Sequence, residues 1–109
     1  MSETPTGPTV YEAVPQFGRL RDDVLYGDVW EQPELSKRDR SLITCAVLAV
    51  TGRNAELANH MRIGVENGLT PDELRGLIVQ VAFYGGWPSG VNAAKAAMPI
   101  FTADMAAED

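Results

Sequence analysis

The sequence predicts an all-α protein of about five helices. Three observations carry this: apolar residues recur at three-and-four spacing, no stretch alternates usefully as a strand would, and helix-capping residues bracket the apolar runs. No internal repeat is visible.

The first nine residues, MSETPTGPT, are polar and proline-rich and read as a flexible tail, with a single domain expected over residues 10–109. They contain no apolar core of a secretory signal. A first helix is expected from Tyr11 to about Gly27 or Trp30, disturbed at its start by Pro15. Phe17, Leu20, Val24 and Leu25 recur along it at helical spacing. Pro33 marks the following linker.

Ser36, with Asp39 three residues on, resembles a capping box and opens a second helix. Its apolar run from Leu42 to Val50 covers almost every face before Gly52, so burial on all sides is expected. Asn54 is the expected N-cap of a third helix that ends at Gly68. Thr70-Pro71-Asp72-Glu73 opens a fourth, with Thr as cap, Pro in the first turn and Glu closing the box. Leu74, Leu77, Ile78, Val81 and Ala82 form its core stripe, while Val79 and Phe83 widen it. A fifth helix starts near Pro88 and is kinked or ended by Pro99.

Two short helices apolar nearly all round are hard to enclose within about 100 residues. Part of that surface is therefore expected to be covered by other copies of the chain.

Composition narrows the function. A chain of 109 residues has no room for a cofactor domain beside a substrate domain. A net charge of −6 argues against nucleic acid and against an anionic membrane surface. No apolar run approaches the ~20 residues of a membrane span, and a cytoplasmic protein is expected. The one cysteine, Cys45, excludes an internal disulfide, a CxxC pair and a cysteine-rich zinc site. Flanked by apolar residues, it reads as a buried, inert thiol. No metal site is expected.

Glu56 and His60 stand four apart on one helix face. A carboxylate beside an imidazole favours its protonated form, which suits a general acid or base. The same spacing also describes an ordinary solvated pair. Lys37, Arg38 and Arg40 crowd a helix start, and Arg53 lies at the next turn. They either solubilise the chain or clamp a carboxylate. Trp30, Tyr84 and Trp87 fall at helix ends, where aromatics wall pockets or cover edges.

Three segments in order, Gly27–Thr44 (GDVWEQPELSKRDRSLIT), Ala55–Leu74 (AELANHMRIGVENGLTPDEL) and Val81–Ala94 (VAFYGGWPSGVNAA), resemble the carboxymuconolactone decarboxylase family. The wider family includes alkyl hydroperoxidase D-type thiol peroxidases, whose CxxC cysteines would fall on Arg53 and Glu56 here. Both thiols are absent, which favours the decarboxylase branch. The resemblance implies an alkyl hydroperoxidase D-like helical subunit in a homo-oligomer, a trimer or ring-like hexamer. It also implies cofactor-free conversion of a small anionic lactone, 4-carboxymuconolactone, to 3-oxoadipate enol-lactone and CO2, in protocatechuate breakdown. His60 oriented by Glu56 is then the expected proton donor, with Arg40 and Arg53 binding carboxylate or oxyanion. Trp30, Tyr84 and Trp87 become candidate pocket walls. The alternatives are another acid–base enzyme on a different cyclic acid, such as an isomerase, and a non-catalytic oligomeric binding protein.

Overall fold

A computed structural model describes residues 7–107, so most of the expected N-terminal tail, residues 1–6, lies outside the described residues. Two compact units divide the chain between Glu34 and Leu35. Among the described residues every regular element is helical.

The first unit carries α1 (Val10–Ala13) and α2 (Pro15–Arg19), followed by a wide π-type turn over Leu20–Tyr26 and a 3₁₀ turn over Val29–Glu31. Thr9 caps α1 by accepting from the Glu12 amide at 3.1 Å. The expected first helix is thus broken at Val14, where the residue before Pro15 is pushed out of helical geometry (φ −129°, ψ 80°). Gly27 ends the π turn, and a Cβ there would meet the Asp22 and Asp23 carbonyls at 2.7 Å. Phe17, Leu20, Val24 and Leu25 are exposed, and none of the unit's helical residues is buried. The Arg21 guanidinium lies 4.1 Å from the centre of the Tyr11 ring and pairs with Asp22. Trp30 is half-buried and stacks at a tilt on Tyr26, 5.8 Å between ring centres.

The second unit packs four helices: α3 (Lys37–Val50), α4 (Asn54–Glu66), α5 (Pro71–Gly85) and α6 (Trp87–Ala107). Ser36 caps α3, its hydroxyl accepting from the Asp39 amide at 3.0 Å. Thr70 and Glu73 close both halves of the capping box at the start of α5. α4 begins one residue earlier than expected: Arg53, not Asn54, is the N-cap, and no side chain caps it. The turns after α3, α4 and α5 use Gly52, Gly68 and Gly86, all at positive φ, which glycine alone adopts without strain.

Pro99 neither ends nor splits α6, which runs on to Ala107. Its N-terminal half is held tightly to α5. A Cβ on Gly90 would come within 2.6 Å of the Ala82 Cβ, so the two backbones approach as only glycine permits. At the other end Arg75 reaches across from α5 to Asp104 on α6 at 2.9 Å while covering the Phe101 ring.

The core joins Cys45 and Ala49 of α3, Leu57 and Met61 of α4, Leu74, Leu77 and Val81 of α5, and Ala93, Ala97 and Phe101 of α6. Leu69 plugs the α4–α5 turn. Enclosure of α3 and α5 on all sides is not what one chain achieves. Ile43, Val47 and Val50 on α3, with Val79 and Phe83 on α5, stay exposed because only one stripe of each helix meets a neighbour.

Candidate functional site

His60 sits on α4 at the edge of its buried face. Leu57, Met61 and Gly64 point into the core, and His60, one residue round from Met61, is half-buried. Register with α3 is set at Ser41, which is fully buried. Asn67 donates to the Ser41 hydroxyl at 2.9 Å, and Gly64 nearby leaves room for Leu69, whose Cδ1 would stand 2.7 Å from a Cβ there.

The imidazole is enclosed on one side. Its Nδ1 is buried with no hydrogen-bond partner among the described residues. Burial pushes the His60 pKa below its ordinary value, because the charged ring loses solvation without gaining a partner. Glu56, one turn earlier, is exposed, and no hydrogen bond joins it to the ring. The pair thus shares a face as the spacing predicts, while the imidazole favours its neutral form rather than the protonated one.

Arg40 is half-buried on α3, its Nε enclosed, and its carbonyl accepts from the Thr44 hydroxyl at 2.8 Å. Arg53 is exposed at the start of α4. Cys45 is fully buried, and burial pushes its thiol pKa up to about 11, leaving it neutral. Among the described residues, no three of the His, Cys, Asp or Glu side chains gather as a metal site would require. No helix among the described residues is long and apolar enough to cross a membrane.

Three open clefts lie elsewhere on the second unit. One of about 410 Å³ runs between α3 and α5, floored by Leu42, Ala46, Leu77 and Val81 and rimmed by Ile43, Gly76 and Gln80. At its end Arg38 pairs with Glu73 and, at 2.8 Å, with Asp39. A second, of about 300 Å³, continues it past Val47 and Val50 to Tyr84. A third, of about 240 Å³, is wholly apolar and includes Phe83, Trp87 and Val91. None of the three is lined by His60, Glu56, Arg40 or Arg53. The structure leaves Tyr84 and Trp87 on clefts along α5, while His60 and Glu56 lie on α4 and Arg40 on α3, away from these clefts. Trp30 belongs to the first unit.

Sequence reasoning passed over Ser41 and Asn67, whose hydrogen bond joins α3 to the end of α4. Ser41 stands ahead of an apolar run on the same face as Cys45 and Ala49, and that spacing was the available signal.

A profile of the carboxymuconolactone decarboxylase family matches residues 15–98. The chain is 42% identical over 76 residues to a 4-carboxymuconolactone decarboxylase of Acinetobacter baylyi, covering 70% of this chain and 57% of that protein. It is 35% identical over 68 residues to a nitrosuccinic acid decarboxylase of Metarhizium robertsii, covering 62% of this chain and 48% of that one. The chain spans about half the length of these curated relatives. With the profile covering most of its length and three matching segments falling in order on the helices described above, the chain belongs to the carboxymuconolactone decarboxylase family.

Proposed function

We propose that the protein is a cofactor-independent decarboxylase of small, multiply anionic acids, with 4-carboxymuconolactone as its substrate and His60 as its proton donor. The observation that carries this reading is the His60 imidazole: half-buried, with one nitrogen enclosed and unpartnered, in a chain similar to a 4-carboxymuconolactone decarboxylase.

The chemistry asks little beyond proton delivery and charge stabilisation. The departing carboxylate of the lactone lies on the carbon gamma to an unsaturated carbonyl. When CO2 leaves, its bonding pair passes through the ring to the lactone oxygen as a dienolate. A proton added to ring carbon then gives the enol-lactone. The substrate supplies its own electron sink, so the reaction needs no imine or ylid cofactor.

His60 is neutral near pH 7 in the free protein because burial disfavours its charge. A bound polyanion reverses that balance, since an opposite charge nearby favours the imidazolium. Substrate binding thereby charges the acid that later protonates the dienolate. Glu56, one turn away, relays the proton from solvent. Arg40 and Arg53 hold the remaining carboxylate or the developing oxyanion.

A second reading changes the substrate and keeps the logic. Nitrosuccinic acid, named for the second relative, carries a nitro group on the carbon bearing a carboxylate, so the electron pair left by CO2 settles as a nitronate. Assay of the purified protein against both acids, following CO2 and product, separates the readings. Turnover of neither sinks both.

A further inference from the structure

Asn67 and Gly68 form the chain's single Asn-Gly step; the other asparagines, Asn54, Asn59 and Asn92, precede alanine, histidine and alanine. This is the step at which an asparagine most readily turns on its own backbone. With no side chain on the following residue, the next amide nitrogen can reach the asparagine Cγ. The N–C bond that forms closes a five-membered succinimide, and the side-chain nitrogen leaves as ammonia. Water then opens the ring at either carbonyl, giving aspartate or isoaspartate.

The fold demands both members of the step, for unrelated reasons. Gly68 takes φ 110° in the turn that ends α4, and a Cβ there would meet nothing within 4 Å. Glycine is thus needed for its backbone and not for space. Asn67 supplies the amide that donates to the buried Ser41 hydroxyl at 2.9 Å, tying the end of α4 to α3. Two separate structural requirements put a reactive pair side by side.

The same turn keeps the pair from reacting. At ψ 1° the Gly68 nitrogen eclipses Asn67's own backbone nitrogen and is rotated well away from its side chain. The Gly68 amide donates to the Val65 carbonyl at 3.0 Å and the Leu69 amide to the Gly64 carbonyl at 2.8 Å. Turning ψ until the ring can close swings both amides off these carbonyls and draws Leu69, 2% exposed, out of the core. The leaving nitrogen is held as well, because it is the donor to Ser41.

We propose that Asn67 is a self-modification site, shut while the last turn of α4 is wound and open when it unwinds, whose conversion loosens the join to α3. Attack by the Gly68 nitrogen then proceeds only from the opened state, so conversion counts openings of the α4–α5 turn. Either product puts a negative charge at the C-terminal end of α4, where the helix dipole opposes it. An ionised carboxylate also cannot donate to Ser41 as the amide does. Isoaspartate further adds a methylene to the backbone of the turn.

The test incubates the full-length protein at mildly alkaline pH, folded and in guanidinium, and reads each asparagine by peptide mass spectrometry with chromatographic separation of isoaspartate. Asn67 is expected to convert in guanidinium, ahead of Asn54, Asn59 and Asn92. In the folded protein it is expected to convert at least ~10-fold more slowly, since only the opened fraction reacts. Ser41→Ala, verified as folded by circular dichroism, is expected to speed folded-state conversion ~5-fold, the effect of one lost hydrogen bond. The converted fraction, separable by its extra negative charge, is expected to unfold at lower urea than the unconverted one. Equal rates in the folded protein and in guanidinium would overturn the proposal, as would an Asn67 no faster in guanidinium than the other asparagines. Ser41→Ala converting at the wild-type rate, or a converted fraction as stable as the original, would overturn it equally.

Discussion

The Asn67 side-chain amide donates a 2.9 Å hydrogen bond to the Ser41 hydroxyl, joining α4 to α3 across 26 residues of sequence. Ser41 is fully buried, so its hydroxyl cannot turn to water for a substitute, whereas Asn67 is half-buried. The bond ties the N-terminal half of α3 to the end of α4, the helix that carries His60.

Removing one partner strands the other. Asn67→Ala is expected to cost ~1–3 kcal/mol in urea unfolding, the penalty of leaving the buried Ser41 hydroxyl unsatisfied. Adding Asn67→Ala to Ser41→Ala should cost much less than the two single losses combined. Fully additive losses would show that the bond contributes nothing specific.

Gly90 carries a different load. With Ala82 2.6 Å from where its Cβ would stand and the Ala82 backbone at 3.0 Å, Gly90→Ala must push α6 away from α5. A destabilisation of ~1–3 kcal/mol is expected from such overpacking. Gly76→Ala, with open space around it, should leave the unfolding midpoint of the single chain unchanged or raise it.

Cys45 should be silent. Its thiol is fully buried and its pKa is raised to about 11, so the thiolate fraction at pH 8 is negligible. Ellman's reagent should label no thiol in the native protein and one per chain in denaturant. Rapid native labelling would contradict the packing of α3.

His60 links stability to pH. Its folded pKa lies below the ordinary ~6.5, so the unfolded chain binds the proton more readily. The stability tied to the neutral ring is therefore whole above about pH 6.5 and is lost as pH falls through the folded pKa. His60→Gln should flatten the unfolding free energy across that acid window. The same group should appear in kcat/KM as a descending limb below pH 6.5, because the free enzyme must be protonated there. In kcat that limb should move to higher pH, where bound anion sustains the charge.

Helix positions were legible because local rules set them. Ser36 and Thr70 cap as their spacing promised, and Gly52, Gly68 and Gly86 take the positive φ that ends each helix. The start of α4 slipped by one residue because Asn54 does not cap it, and Pro99 sits inside α6 although proline usually interrupts one. The apolar girdle of α3 and α5 is legible as apolar, and one chain leaves Ile43, Val47, Val50, Val79 and Phe83 exposed. Periodicity reports which side chains avoid water, and it does not report whether one chain can cover them. At the site, the i, i+4 rule put Glu56 and His60 on one face, but the ring's protonation follows its burial. That burial, like the Ser41–Asn67 bond, is a tertiary fact with no local signature.

The central claim is that His60 delivers the proton in a decarboxylation. The direct measurement is CO2 release and enol-lactone formation from 4-carboxymuconolactone by wild-type protein and by His60→Ala, each verified as folded. The account predicts turnover by wild type and a loss of at least ~100-fold in kcat for the variant. Undiminished turnover by His60→Ala, or none by wild type, would contradict it.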